Sequence, residues 1–284
     1  MKDSYFESSF AKNCKFHWDF IKNFEDKDRW DILAEQYLDS REIDESLVDL
    51  IPKKIHQIWI GSKPLPNKYK KWMKTWQSIN KDWEYKLWTD LDIKKMELFN
   101  QKAYNSSSNV GFKSDILRYE ILNKYGGLYI DTDLECVRKI PNYLRKFDFI
   151  SCIIFDKTPQ IANGFIMSRP NGDLTSLLLK SIQVPKNNRS AFEILNCSGP
   201  NFLTNKYFSL EAKKRKKILI LPSDYFYPLP NFLLNTKIEK KEYLTEKTIG
   251  IHYWEVSWMK GNLIQRIINK LSKQAKKIRK KLKN

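Results

Sequence analysis

The run from Ser114 to Asp133, SDILRYEILNKYGGLYIDTD, constrains the fold more than any other stretch of the chain. It reads as a helix from Lys113 to Tyr125, a Gly126-Gly127 stop, and a short apolar strand from Leu128 to Ile130 that runs into Asp131-Thr132-Asp133. Glycine supplies the left-handed backbone that ends a helix abruptly. Residues i and i+2 of an extended segment point the same way. The spacing therefore predicts both carboxylates on one face at the strand's C-terminal end, the edge where open α/β sheets bind ligands. Two adjacent carboxylates repel each other, and a hard divalent cation relieves that repulsion while leaving positions for a diphosphate. A lone D-x-D is more often a solvated loop, but the helix, the glycine stop and the strand before it point to a site.

The surrounding sequence alternates in the same way. KIHQIWIG, Lys54 to Gly61, reads as a buried strand, followed by a helix from Lys68 to Ile79 and a strand from Trp83 to Trp88. A helix from Asp92 to Phe99 and a polar loop from Asn105 to Asn109 lead to the central run, and further strands are expected at Phe149 to Phe155, Gly164 to Ser168 and Ile218 to Leu221. Strand, helix, strand is the signature of an α/β fold. Residues 1–50 read as an acidic helical subdomain with apolar positions Ile32, Leu33, Tyr37, Ile43, Leu47 and Leu50, residues 51–260 as the catalytic domain, and residues 261–284 as a basic tail.

Net charge is +18, yet residues 1–50 hold 13 acids and 7 bases, so the basic character lies downstream. Residues 260–284 contain ten Lys or Arg and no acid. No stretch approaches the roughly 20 apolar residues of a membrane span, and the first thirty lack the apolar core of a signal peptide. Cys14, Cys136, Cys152 and Cys197 form no CxxC pair, which argues for ordinary thiols in a reducing cytoplasm.

Three ordered motifs, K-I-H-Q-I-W-I-G, S-D-x-x-R-Y-x-x-L-x-x-Y-G-G-x-Y-x-D-x-D and H-x-W-x-x-S-W from His252 to Trp258, resemble family 32 glycosyltransferases. That family includes the yeast Golgi initiating mannosyltransferase and bacterial enzymes of capsule synthesis, and it is related to the glucosyltransferase domains of large clostridial toxins. The resemblance spans about Ile51 to Trp258. It implies a GT-A fold, a Rossmann-like mixed sheet flanked by helices, with a D-x-D metal site for manganese or magnesium and retention of anomeric configuration. It further implies that Asp133 binds the metal, that Asp131 holds the metal shell or the donor ribose, and that Asp115 and Arg118 grip the donor sugar and diphosphate. Tyr129, Ile58 and Trp59 match donor-lining positions, and Asn163 and Gly199-Pro200 match weaker positions near sugar and acceptor.

The residues themselves leave alternatives open. Asp115 and Arg118 could form a surface ion pair three residues apart on a helix. Trp59 and Tyr129 could be core, Asn163-Gly164 a turn, and Gly199-Pro200 a helix start. Of the three histidines, His17 reads as surface, His56 as a buried structural residue, and His252 as the third metal ligand that the resemblance implies, or else a structural histidine. Ser257 and Trp258 would then lie near the leaving β-phosphate, or else serve as turn and core.

Ile264, Ile267, Ile268, Leu271, Ala275, Ile278 and Leu282 recur at helical spacing among the lysines. The tail therefore reads as a basic amphipathic helix that could place residues 263–282 on an anionic membrane surface or dock on the enzyme. The expected partners are a nucleotide-sugar donor, UDP-hexose favoured over GDP-mannose, and a glycan or lipid-linked glycan acceptor, with the enzyme peripheral at the inner face of the membrane. The rival readings are a toxin-like effector that glycosylates protein, and a basic nucleic-acid-binding protein, which leaves the acidic pair unexplained.

Overall fold

The computed structural model describes residues 27–40, 44, 46–154, 160–187, 190–229 and 240–255. His17, Cys14, Ser257, Trp258 and the basic tail lie outside the described residues.

A seven-stranded mixed sheet forms the centre. Its strands are β1 (Lys54–Ile58), β2 (Glu84–Trp88), β3 (Gly127–Ile130), β5 (Phe149–Ile154), β6 (Gln160–Ile161), β7 (Phe165–Ser168) and β8 (Ile218–Leu221). Their order is β2-β1-β3-β7-β5-β6, with β8 on the other side of β5. The β1–β2, β1–β3 and β5–β8 pairs are parallel, whereas β7 is antiparallel to both β3 and β5. The C-terminal ends of β1, β2, β3, β5 and β8 therefore share one edge. A separate antiparallel pair, β4 (Leu134–Cys136) with β9 (Gly250–His252), places Leu134 opposite His252.

Helices cover both faces. Lys27–Asp39 (α1) packs Leu33 and Ala34 into the core cluster that also holds Leu117, Tyr129, Ile166, Leu174 and Phe202. Asn67–Ile79 (α2) buries Tyr69, Met73 and Trp76, and Trp76 joins Leu128, Ile130, Ile150 and Met167 on the other face. The two sets alternate along β3 as a pleated strand requires. Asp90–Ile93 (α3) and Gln101–Ser106 (α4) precede the central helix Val110–Tyr125 (α5), and Asp173–Ser181, Ala191–Cys197, Pro200–Ser209 and Ala212–Arg215 follow as α6 to α9.

The helix expected from Asp92 to Phe99 ends at Ile93, and Gln101–Ser106 is helical where the polar loop was expected to start. The cause is tertiary: the buried Glu120 carboxylate accepts the backbone N–H groups of Phe99 and Asn100, drawing the chain out of helical register. The strand expected to reach Gly61 stops at Ile58. Residues 46–50 are not helical: Leu47 N–H closes a turn on Asp44 O (3.2 Å), and Leu50 N–H is bonded to Arg145 O at 2.7 Å.

Asn109 caps α5 by accepting Phe112 N–H, and Gly126 (φ 62°) closes it with N–H to Leu122 O. Gly127 (φ 104°) then lets β3 approach β1, since a Cβ there would lie 2.5 Å from Lys54 O. Cys136, Cys152 and Cys197 are free thiols. Among the described residues no helix is long and apolar enough to cross a membrane.

His56 is the buried structural histidine expected, accepting from Trp88 Nε1 at Nδ1 (3.2 Å) and donating from Nε2 to Gly126 O (2.9 Å). Burial holds its pKa at about 4, below the ordinary 6.5. The unfolded chain takes up this proton near 6.5, so the contribution to stability is present above that value and is lost as pH falls towards 4. Urea unfolding is expected to show stability falling through this window, by up to about 1.4 kcal/mol per pH unit from this group, and His56→Gln to lack that share.

Candidate active site

The acidic pair leaves the C-terminal edge of β3 in a turn. Asp131 N–H donates to Gly164 O (2.8 Å), Gln57 Nε2 donates to Asp131 O (3.1 Å), and Leu134 N–H returns to Asp131 O (3.2 Å). The carboxylates therefore converge through a turn between β3 and β4 and not through strand alternation. The β4–β9 pairing brings His252 onto the same spot. Ligand atoms of Asp131, Asp133 and His252 all lie within 4.8 Å of one another, with His252 Nε2 3.8 Å from Asp131 Oδ2 and 3.4 Å from Asp133 Oδ1.

The outer oxygens are occupied by protein. Asp131 Oδ1 accepts Tyr129 OH (2.7 Å) and lies 3.5 Å from Arg118 Nη1, while Asp133 Oδ2 accepts the Glu255 N–H (2.7 Å). Each carboxylate so turns its other oxygen towards His252. The Trp254 N–H lies 3.1 Å from Nδ1 and orients the imidazole. Trp254 itself has φ 54°, the left-handed region, which reverses the chain and sends the Glu255 amide back to Asp133. Two carboxylate oxygens and an imidazole nitrogen, each oriented from behind, fit a hard divalent cation such as manganese or magnesium.

Residues 66–150, which hold the turn, α5 and both aspartates, match the family described as "Glycosyltransferase sugar-binding region containing DXD motif". Over these residues the chain carries the DXD-containing sugar-binding region of a glycosyltransferase. It is 26% identical over 187 residues to "Uncharacterized glycosyltransferase L373" of Acanthamoeba polyphaga mimivirus, covering 63% of this chain and 74% of that protein. It is 34% identical over 197 residues to "Mannosyl phosphorylinositol ceramide synthase SUR1" of Saccharomyces cerevisiae, covering 62% of this chain and 48% of that protein. The chain thus spans about half the length of this yeast relative. The fold is that of the catalytic domain of alpha-toxin from Clostridium novyi, with a TM-score of 0.51 at 12% identity, covering 93% of this chain and 88% of that one. The GT-A arrangement expected from the sequence is therefore present.

Asp115 and Arg118 are no surface pair. Their side chains are 8% and 6% exposed, and Arg118 Nη2 lies 3.1 Å from Asp115 Oδ1. Arg118 also donates from Nη1 to Asn163 O (2.5 Å) and from Nε to Ser114 O (3.3 Å), with its guanidinium 4.6 Å above the Tyr129 ring. Asn163 Nδ2 completes the circle by donating to Asp115 Oδ1 (2.9 Å), and Ser198 Oγ donates to Oδ2 (2.7 Å). Burial raises the Asp115 pKa to about 6, against the opposing pull of Arg118 and these donors.

The two aspartates are driven apart. Burial opposes ionisation of Asp131, but Arg118, His252 and the Tyr129 hydroxyl hold it well below the usual carboxylate range. Burial, together with the charge of Asp131, raises Asp133. Burial alone would lower His252; the two carboxylates outweigh it and raise it.

Ile58 is buried at the end of β1. Trp59 beyond it is half-buried, donates Nε1–H to Lys63 O and meets Tyr69 edge-on at 5.6 Å. Tyr129 is buried with its hydroxyl committed to Asp131. Gly199-Pro200 does start a helix, α8. Sequence reasoning missed Ser198, Tyr227 and the Glu255 amide. Ser198 stands just before the Gly-Pro helix start, a place where a hydroxyl residue could have drawn notice; a backbone amide such as that of Glu255 carries no side-chain signal at all.

Gly164 bears on the site by its lack of a side chain. A Cβ there would lie 2.4 Å from Asp131 Oδ2 and 3.0 Å from the Tyr227 hydroxyl. Its backbone needs no left-handed φ, so the obstruction falls on the site and not on the chain path. Gly164→Ala is expected to keep its melting temperature within a few degrees and to lose at least about tenfold in sugar-nucleotide turnover, checked by calorimetry beside a turnover assay.

Proposed function

We propose that the enzyme is a metal-dependent, retaining hexosyltransferase that uses a nucleoside diphosphate sugar. The observation that carries this reading is the convergence of Asp131 Oδ2, Asp133 Oδ1 and His252 Nε2 with their outer atoms already held by Tyr129, Glu255 and Trp254. When bound there, a divalent cation supplies Lewis acidity to the leaving diphosphate.

The chain's own residues do the rest. Arg118 fixes Asp115 and Asp131 and places a buried positive charge beneath the spot where diphosphate charge develops. Asp115, Asn163 and Ser198 form a hydrogen-bonding wall suited to sugar hydroxyls. Trp59 at the end of β1 offers an aromatic face to the base. With Nδ1 accepting from Trp254, the imidazole proton sits on Nε2, where it competes with the cation, so cation affinity should rise with pH. Among the described residues no side chain at the site is placed as a covalent nucleophile, and attack of the acceptor hydroxyl on the donor face is the route that retains configuration.

Both donor classes remain in the reading. The name of the yeast relative speaks of the synthesis of a mannosyl phosphorylinositol ceramide, which supports a mannosyl donor and a lipid-linked or glycan acceptor; UDP-hexose is the other arm. The deciding assay is manganese-stimulated hydrolysis of UDP- and GDP-sugars by the purified chain beside Asp133→Ala. Turnover of one donor, reduced at least about a hundredfold in the variant, is expected. Failure to bind any nucleotide with manganese present would overturn the proposal. With donor and acceptor identified, NMR of the product is expected to show the donor's anomeric configuration.

A further inference from the structure

Tyr253 directly follows His252 and is held from four directions. Its ring stacks on Trp72 of α2, with centroids 4.3 Å apart and planes 10° from parallel. Lys240 Nζ lies over the same ring, 4.2 Å from its centroid, and donates to the hydroxyl at 2.8 Å. That hydroxyl donates in turn to the Glu135 carboxylate on β4. The Tyr253 N–H donates to Asp133 O at 3.0 Å.

The clasp is continuous with the cation site on one side and with the base-binding end on the other. Two residues on, the Glu255 carboxylate pairs with Lys68 of α2 at 2.6 Å while its amide holds Asp133 Oδ2. Trp72 stacks on Tyr69 at 5.4 Å, and Tyr69 meets Trp59 at 5.6 Å. An aromatic column so runs from the end of β1 to the end of β9. Trp72 and Tyr253 are only half-buried, and β9 is three residues long. A strand this short has few ladder bonds of its own to hold its last residue in place, and an aromatic stack adds about 0.5–1.5 kcal/mol beyond area burial.

We propose that Tyr253 is a positioning residue for the cation site: gripped by Trp72, Lys240 and Glu135, it fixes the chain between His252 and Glu255 and so sets the affinity of Asp131, Asp133 and His252 for a divalent cation. This rests on the reading of those three residues as a cation site. Tyr253 itself does not ligate. It acts through the residues on either side of it, as groups behind metal ligands do when they hold them in register.

The test is a manganese titration of the full chain, read by the EPR signal of free aqueous Mn2+, for wild type, Tyr253→Ala, Tyr253→Phe, Trp72→Phe and Asp133→Ala. Melting temperatures are measured in chelator. Tyr253→Ala is expected to weaken manganese binding about tenfold or more, and Tyr253→Phe, which keeps the stack and loses the hydroxyl bonds, by a few-fold. Melting temperatures within a few degrees of wild type would separate this from general loss of structure. If Tyr253→Ala does not fold, Tyr253→Phe and Trp72→Phe carry the test, and unchanged manganese affinity in both overturns the proposal. Unchanged affinity in a folded Tyr253→Ala, with binding lost in Asp133→Ala, overturns the clasp and leaves the cation site standing. No manganese binding by the wild-type chain overturns both.

Discussion

Two carboxylates on a buried turn repel one another, and the arrangement around Asp131 and Asp133 is organised by that repulsion. Asp131 is kept ionised by Arg118 and Tyr129, whereas Asp133 has a single backbone amide on its outer oxygen and is raised by burial. The inner oxygens and His252 are left facing each other. The repulsion in a turn built this way is relieved by a donor or a positive charge among its inner atoms, the Nε2–H of His252 or a cation in its place.

The cost of holding such charge is met by α5. Arg118 sits in the most enclosed helix of the fold, where an unpaired guanidinium would be prohibitive, and each of its nitrogens meets a protein acceptor. Removing one partner of a buried pair leaves the other uncompensated, at about 3–5 kcal/mol. The Asp115–Arg118–Asn163–Ser198 circle therefore stabilises and specifies at once. It joins α5 to the β6–β7 turn and to the start of α8, so that the sheet edge and the helices around the site cannot shift independently.

His252, the third residue of the proposed cation site, comes from a different level of organisation. Asp133 and Glu255 are 122 residues apart, and their contact depends on the register of β4 with β9. The left-handed Trp254 and the stack of Tyr253 on Trp72 then fix where the chain goes after the strand ends. The part of the site that His252 completes is so the part whose geometry is least local.

The sequence by itself determined the α/β alternation, the helix that stops at Gly126-Gly127, the acidic pair at a strand end and, through motif resemblance, the candidacy of His252. These rest on periodicity, glycine conformation and residue spacing, which act within a few residues of one another. Only the tertiary structure decided that Asp131-Thr132-Asp133 is a turn, because Gly164 O and Gln57 capture its backbone. Only it chose for Asp115 and Arg118 a buried network over the alternative of a surface pair, ended α3 at Ile93 through the Glu120 carboxylate, and assigned Ser198, Gly164 and the Glu255 amide to the site. Each of those outcomes turns on which distant strand or helix end supplies the next hydrogen bond, and sheet register and helix packing settle that, not local preference.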